Sequence, residues 1–252
     1  MTLRTLSFGE VDLGLWGSVW DLGAEGPGFT VLGGRGSAAL SDPAARIELG
    51  DEELGTWWLS ALDVELESVP EGPAATFDEG FDQLTRVRGR VRAAGTDHEI
   101  DCLGSRASRD GLDLSRFESV REAAAWFGPD LGLAVLAARP RGAAGHGDDL
   151  ITASLFEHGH WLAVEEPRLS TTYAADGAPV RASIELWLEP EESDRADGGE
   201  EATEPPPRRA AGEAVGAVAG RSEQELDVHA ALLRWHAQGR EGDGVYVLAR
   251  RR

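Results

Sequence analysis

The sequence predicts an all-β protein, an antiparallel barrel, pair of barrels or sandwich in two β halves that one short helix connects. Three observations predict this fold: strand-like alternation of apolar and polar residues, turn signals at short intervals, and one segment of helical spacing near the middle of the chain. Many short amphipathic strands separated by turns are typical of barrels and sandwiches. The 252 residues are enough for one large β domain or two halves that share a core.

Alternation with a period of two is clearest in LDVELESV at 62–69, ASIELWLE at 182–189 and VYVLAR at 245–250. Such segments indicate strands with one face on a core and the other in water. Ala-Asp-Gly at 175–177 lies between two strand-like segments and predicts a hairpin turn. The sequence therefore predicts a succession of antiparallel strands in both halves.

A charged hairpin is predicted around a turn at Ala94-Gly95. Arginines at 86, 88, 90 and 92 fall on one strand face, and acids at 97, 99 and 101 fall on the same face of the next strand. A turn at this position brings Arg90 opposite Glu99, and opposite charges across a strand pair stabilise a hairpin. We prefer this interpretation of the arginine row to one in which it binds a polyanion.

The opposite face of the same hairpin supplies the first candidate ligand-binding residues. His98 and Cys102 should face the core, where they would be the polar or reactive groups nearest a bound molecule. His98 is also the best candidate for a general acid, because an unperturbed imidazole titrates near neutrality. Trp187, an aromatic side chain on the strand 182–189, is the third candidate for contact with a ligand.

The segment DLSRFESVREAAAWFGP predicts the connecting helix. Apolar residues recur at helical spacing, Ser115 and Glu118 fit a capping box, and Gly128-Pro129 follows the run. The predicted organisation is an N-terminal β half at 1–112, a helix at 113–128 and a C-terminal β half at 129–252.

An acidic segment, EPEESDRADGGEEATEPPPRR at 189–209, interrupts the C-terminal half. It contains many acids, three consecutive prolines and no large apolar residue, so it cannot bury enough surface to pack. We expect a disordered loop between two strands, and we expect that 190–207 can be removed without unfolding the domain.

The composition excludes several classes of function. A net charge of −21 disfavours nucleic acid and anionic membrane surfaces as partners. All 24 basic residues are arginines, so Schiff-base chemistry on a lysine is excluded. Cys102 is the only cysteine, so neither an intramolecular disulfide nor a cysteine-based zinc knuckle can form.

Targeting signals are not evident either. The first residues, MTLRTLSFGEVDLG, lack the apolar region of a signal peptide, and no uncharged apolar run approaches the length of a membrane span. We therefore expect a cytoplasmic protein that is not inserted in a membrane.

The segment FEHGHWLAVEEP raises the question of a metal site. His158, His160 and Glu165 have a spacing that resembles the first motif of the cupins, a family of metal-binding β-barrels. The glycines that flank that motif are absent, and the chain has no asparagine for the second motif. A hairpin tip at His158-Gly159 explains the same residues, so we expect no bound metal and no cofactor.

The order of the β segments resembles the lipocalin-like double-barrel group, which includes bacterial carotenoid hydratases and tocopherol-cyclase-like proteins. The resemblance depends on two β halves, a Gly-x-Arg near their junction at Gly104-Ser105-Arg106, and the closing segment LRWHAQGREGDGVYVLARR. Better-matched relatives carry an Arg-Asp-His-Ser-Trp-Gly-like junction, whereas the corresponding stretch here, 106–111, has neither His nor Trp. The resemblance implies a cavity for a lipid- or isoprenoid-like molecule.

Three hypotheses for the function remain. The first is a lipocalin-like protein that binds an apolar small molecule, with or without catalysis. The second is a cupin-type metal-dependent enzyme that uses His158, His160 and Glu165. The third is a structural or interaction domain with a filled core. The sequence does not predict the oligomeric state.

Overall fold

The structure, a computed structural model, describes residues 2–22, 28–34, 37–41, 45–50, 52–61, 63–93, 95–189, 206–222 and 226–251. Within these residues the chain is mostly β-strand, and its strands form two antiparallel sheets of nine. The prediction of an all-β antiparallel fold in two β halves is confirmed.

The first sheet contains β1 to β9. Their bounds are Thr2–Glu10, Leu15–Asp21, Phe29–Gly34, Ser37–Ser41, Arg46–Leu49, Trp57–Ala61, Val64–Phe77, Gly80–Ala93 and Thr96–Asp110.

The second sheet contains β10 to β18. Their bounds are Phe117–Trp126, Leu131–Pro140, Leu150–Glu157, His160–Leu162, Val164–Tyr173, Pro179–Leu188, Arg208–Arg221, Leu226–Ala237 and Arg240–Arg251.

The two sheets repeat one topology. The strand order is β4-β3-β2-β1-β9-β8-β7-β6-β5 in the first and β13-β12-β11-β10-β18-β17-β16-β15-β14 in the second. Each strand of the first sheet therefore corresponds to the strand nine places later in the chain. One sheet forms a half-barrel, and the other curls until β12 lies against β14 and nearly closes a barrel.

Three apolar clusters form the core. One fills the concave side of the first sheet, around Phe8 and Trp57, and one fills the second barrel, around Trp235 and Tyr246. The third lies between the two halves and includes Trp20 and Trp126. Strands at the centre of the molecule are consequently buried on both faces, because one face packs on a barrel interior and the other on the opposite half.

The charged hairpin forms as predicted. β8 pairs with β9 in the register that brings Arg90 opposite Glu99, and Nη2 of Arg90 lies 3.0 Å from Oε1 of Glu99. Gly95 has a φ of +77° at the turn. The turn at 175–177 likewise joins β14 to β15, where the amide of Ala178 donates to Oδ1 of Asp176.

The predicted helix at 113–128 is wrong. One 3-10 turn at Leu114–Arg116, capped by Asp113, precedes β10, which occupies most of the segment and belongs to the second sheet. The physical reason is burial on both faces: every residue from Val120 to Trp126 is buried, so the apolar residues carry no period of two. Ala-rich strands of this kind imitate a helical pattern.

The acidic segment lies largely outside the described residues, since 190–205 are not among them. Its last two residues, Arg208 and Arg209, are part of β16 instead of a loop. Where the chain is described, it forms no helix with the length and apolar composition that a bilayer span requires.

Candidate functional site

A pocket of about 380 Å³ lies between the two halves, at the end where the chain crosses from the first sheet to the second. Its walls come from the β7–β8 turn, the β9–β10 connection, β11 and β12. Most of the wall is apolar, and this part consists of Phe77, Leu112, Phe117, Leu136, Ala138, Pro140 and Leu150. Four charged side chains and one hydroxyl complete the wall, those of Glu79, Arg109, Asp110, Arg116 and Thr152. A pocket of this size with a mostly apolar wall is the usual form of a small-molecule site.

The β9–β10 connection closes one side of the pocket. Gly111 has a φ of +74°, a conformation that favours glycine, and it turns the chain out of β9. The carboxylate of Asp113 then accepts a hydrogen bond of 2.8 Å from the amide of Ser115, which fixes the short 3-10 turn. Leu112 and Phe117 are held over the pocket by these two local structures.

Arg109 lies in the wall and is itself buried. Its guanidinium lies over the ring of Phe77, at 4.8 Å from the ring centre, and donates a hydrogen bond of 2.7 Å to the carbonyl of Phe81. It also forms an ion pair with Asp82, whose side chain is 3% exposed. A buried charge is tolerated only with such partners, so the ion pair with Asp82 fixes Arg109 in the pocket wall.

Asp82 connects the two halves. Its second oxygen accepts a hydrogen bond of 2.6 Å from the hydroxyl of Ser154 on β12. Ser154 and Thr152 lie on the same face of β12, and Thr152 lines the pocket. The chain Arg109–Asp82–Ser154 therefore runs from the first sheet to the second directly behind the pocket wall.

Glu122 lies beside this chain, on β10. It is paired across the strands with Leu136, whose side chain lines the pocket, and Oε1 accepts a hydrogen bond of 2.6 Å from the hydroxyl of Thr5. Burial raises the pKa of Glu122 to about 7, against the opposing effects of the Thr5 hydrogen bond and the charge of Arg109. A carboxyl group with a pKa near neutrality beside a pocket is a common feature of functional sites.

Two buried polar atoms at this site have no hydrogen-bond partner among the described residues: Nε of Arg109 and Oε2 of Glu122. Unsatisfied buried polar atoms are uncommon in folded proteins. Both lie in the contact between the halves, so this contact contains one buried donor and one buried acceptor that no described residue satisfies.

The structure does not bring the three sequence-predicted ligand residues together. His98 is half-buried near the end of the β8–β9 hairpin, opposite Val91. Cys102 is buried in the core of the first half-barrel, and burial raises the pKa of its thiol to about 12. Trp187 lies on the outer face of β15, where the guanidinium of Arg168 stacks on its ring at 4.4 Å. None of the three lies in the wall of the pocket between the halves.

The three candidate metal ligands, His158, His160 and Glu165, lie in the β12–β13 hairpin and at the start of β14. His158 occupies the tip of the β12–β13 hairpin with a φ of +53°, and Glu157 is paired with His160 across that turn. All three candidate metal ligands are exposed. In the described part of the chain, no three His, Cys, Asp or Glu side chains come together in a way that would hold a metal ion. This arrangement gives the cupin-type hypothesis no support.

Sequence reasoning missed Asp82, Arg109 and Glu122. Arg109 lies in the junction segment 106–111 that the family resemblance had singled out, but without an indication of burial. Glu122 had a signal: it is the acid that directly precedes three alanines and Trp126, in an apolar segment that proved to be a central strand. Asp82 had none, because its partners Arg109 and Ser154 lie 27 and 72 positions away in the sequence.

Comparison with known proteins gives the fold. No protein family and no curated protein matches the sequence. Among solved structures, the chain is similar to CghA with Sch210972, at a TM-score of 0.64 and 10% identity, over 99% of this chain and 88% of that one. It is also similar to a candidate AttH from Nitrosomonas europaea, at a TM-score of 0.63 and 11% identity, over 98% and 91% of the chains. Both are lipocalin-like double-barrel proteins, so the resemblance drawn from the sequence is supported at the level of the fold.

Proposed function

We propose that this protein binds an apolar, lipid- or isoprenoid-like small molecule in the pocket between its two halves. The observation that carries the proposal is a largely apolar pocket whose wall contains the buried guanidinium of Arg109, held in place by its ion pair with Asp82. Apolar walls provide most of the binding free energy through burial of the ligand, and one polar end fixes its orientation.

The chemistry of the pocket favours a ligand with one polar group. Of the two arginines in the wall, Arg109 is oriented by the Phe81 carbonyl and by Asp82, and Arg116 is exposed. The acids Glu79 and Asp110 also lie in the wall. A hydroxyl, carbonyl or carboxyl group on the ligand would lie toward these arginines, with its hydrocarbon part against Leu136 and Ala138. The similarity to CghA, whose structure contains Sch210972, supports small-molecule binding by this fold.

A second location for the ligand is the interior of the first half-barrel, next to His98 and Cys102. The basis for it is the inward position of Cys102, although the apolar cluster around this residue includes Phe8 and Trp57. Trp187 would contact a ligand only from the outer face of the second barrel. The experiment therefore has to distinguish the pocket between the halves from the half-barrel interior.

The test uses cis-parinaric acid, a polyene fatty acid that fluoresces strongly in apolar surroundings, with retinol and farnesol as competitors. Leu150→Glu introduces a charge at the mouth of the pocket, at a side chain that is already 59% exposed. Val180→Glu is the matched control, since Val180 is also an exposed apolar residue of the second sheet, on β15.

We expect saturable binding that Leu150→Glu weakens about tenfold or more, because the ligand then has to desolvate a carboxylate. Val180→Glu and Cys102→Ser should bind like the unmodified chain. Loss of binding in Cys102→Ser with no effect of Leu150→Glu would instead locate the ligand in the half-barrel. A flat titration with all probes would contradict the proposal and leave the interaction-domain hypothesis.

A further inference from the structure

A second cavity, of about 610 Å³, lies at one end of the second barrel. The ends of β10, β11, β12, β14 and β18 form it, with charged and hydroxyl side chains on the inward face. Arg121 precedes the inward-facing Ala123 by two residues, and Arg139 follows the inward-facing Ala137 by two. Inward positions of a barrel are normally apolar, and departures from this pattern are concentrated at functional positions.

Three charged residues are fixed at the inner part of this cavity. The carboxylate of Asp149, 2% exposed, accepts hydrogen bonds from Arg121 at 2.6 Å and from Arg139 at 2.7 Å. A guanidinium carries five N–H donors, and Arg121 contacts this carboxylate through Nη2. Both arginines are thus held in place, and Arg121, which lines the cavity, has donors for a further acceptor.

Hydroxyl groups form the next part of the wall. The hydroxyl of Thr171 lies 3.1 Å from that of Tyr246, and the hydroxyl of Tyr173 lies 2.7 Å from it. Burial raises the pKa of Tyr246 above its usual value, so its hydroxyl remains neutral and able to hydrogen bond. Tyr173 is only half-buried and is therefore the hydroxyl that a molecule in the cavity would meet first.

The cavity wall is positive, although the chain carries a net charge of −21. Arg121, Arg139 and Arg250 line it with one aspartate, whereas the guanidinium of the fourth arginine, Arg168, stacks on Trp187 at the outer face. The acids around it are already engaged: Glu166 pairs with Arg168, Asp227 with Arg221, and Glu118 acts on Arg139. A concave positive site on an otherwise acidic surface concentrates small anions.

The repeated topology shows how the same end of the first half-barrel is occupied. There, the segment between β5 and β6 folds over the inward side chains of β1 and β9. The hydroxyl of Ser108 donates to the Glu53 carboxylate at 3.0 Å, Arg4 lies 3.9 Å from that carboxylate, and Arg106 donates to the Leu54 carbonyl at 2.7 Å. A carboxylate and a carbonyl of the chain itself thus satisfy this end of the first half.

The corresponding segment in the second half is the short turn at 174–178. It is closed on itself by hydrogen bonds between Ala174 and Ala178 and from Gly177 to Ala174, and its Asp176 accepts from the amide of Ala178. No residue of this turn is part of the described wall of the cavity. The second barrel therefore keeps arginines and hydroxyls at this end around a cavity that the turn does not fill.

We infer that this cavity binds a small organic carboxylate with an apolar body, in the place that Glu53 and Leu54 occupy in the first half. The carboxylate would lie between the arginines and the Tyr173 hydroxyl. Ile151, Leu169 and Leu248 provide the apolar contact for its body. This site is separate from the pocket between the halves, and it does not depend on the function proposed for that pocket.

The test is isothermal titration calorimetry with 3-phenylpropionate, and with the neutral 3-phenylpropan-1-ol as the matched ligand, at two salt concentrations. Arg250→Gln removes an exposed charge at the rim, and Tyr173→Phe removes one hydroxyl. Arg181→Gln is the control, because Arg181 is an exposed arginine of the same sheet that pairs with Glu213 and is not part of the wall.

We expect the carboxylate to bind and the alcohol to bind at least tenfold more weakly, with affinity falling as salt is added. Arg250→Gln should weaken binding about tenfold, the loss of one charge-assisted hydrogen bond, and Tyr173→Phe a few-fold. Arg181→Gln and Leu150→Glu should have no effect. Three results would each overturn the inference: no binding of 3-phenylpropionate at concentrations up to about 10 mM, where only very weak affinities escape detection; equal binding of the alcohol; or unchanged binding in both wall variants.

Discussion

The hydroxyl of Thr5 donates a hydrogen bond of 2.6 Å to the carboxyl of Glu122, and this bond joins β1 of the first sheet to β10 of the second. Both residues are buried. The other oxygen of Glu122 has no partner among the described residues, and the ion pair of Arg109 and Asp82 lies close enough to act on its pKa. At this position in the contact between the halves, the neutral form of the Glu122 carboxyl is therefore favoured over the charged form.

The stability of the protein should fall as the pH rises from 5 to 8. Burial raises the pKa of Glu122 to about 7 in the folded protein, whereas a carboxyl in the unfolded chain titrates near about 4.3. As the pH rises, Glu122 therefore loses its proton first in the unfolded chain. The loss of stability begins above the pKa in the unfolded chain and is complete once the pH has passed the pKa in the folded protein. The full effect is about 4 kcal/mol of unfolding free energy, of which about 3 kcal/mol falls between pH 5 and 8.

Urea unfolding at pH 5, 6, 7 and 8 measures this effect. Glu122→Gln replaces the carboxyl with a neutral group of the same shape, so the fall in unfolding free energy between pH 5 and 8 should be much smaller. Glu118→Gln, the same change at an exposed position of the same strand, is the control. An equal pH dependence in all three proteins would show that Glu122 titrates normally.

Asp82→Asn should destabilise the protein by about 3–5 kcal/mol, because it leaves the buried guanidinium of Arg109 without its charge partner. Ser154→Ala removes only the hydrogen bond of 2.6 Å to the same carboxylate and should cost about 1 kcal/mol. The two variants are compared by chemical denaturation at one pH. If the two losses are equal, the ion pair contributes no more than the single hydrogen bond.

The hairpins were predictable from the sequence because local patterns specify them. The alternation of arginines and acids fixed the pairing of Arg90 with Glu99, and the Gly-containing tips at His158-Gly159 and Asp176-Gly177 fixed two turns. A one-residue shift would have moved each charged row to the core, so the register was strongly determined.

The central strands and the site were not predictable for the opposite reason. β10 is buried on both faces, so its sequence shows no alternation and was assigned to a helix. Asp82 and Arg109 lie on the paired strands β8 and β9, but Ser154 comes from β12 of the other sheet, which reaches Asp82 only when the halves pack together. No local pattern records a contact between residues 72 positions apart.

Cys102 should be unreactive toward thiol reagents in the folded protein. It is buried in the core of the first half-barrel, and burial raises the pKa of its thiol to about 12, so almost no thiolate is present at pH 8. Ellman's reagent should therefore react at least about a hundredfold more slowly with the native chain than with the chain in guanidinium chloride. Rapid reaction of the native protein would show that the half-barrel interior is open, which would favour a ligand next to Cys102.

Gly80→Ala should both destabilise the protein and weaken ligand binding in the pocket between the halves. Gly80 lies at the β7–β8 turn with a φ of +139°, and a Cβ there would be 1.9 Å from the Ser108 carbonyl oxygen. That same oxygen accepts a hydrogen bond of 3.1 Å from Arg109, so its displacement also moves Arg109 in the pocket wall. We expect a loss of about 3 kcal/mol, since backbone strain and a backbone clash add.

Gly145→Ala is the control, because a Cβ at Gly145 would meet no atom within 4 Å. Chemical denaturation measures the loss of stability, and titration with cis-parinaric acid measures the loss of ligand binding. A Gly80→Ala protein with unchanged stability but tenfold weaker binding would place the effect on Arg109 alone, whereas unchanged stability and binding together would show that the turn can shift without cost to the pocket.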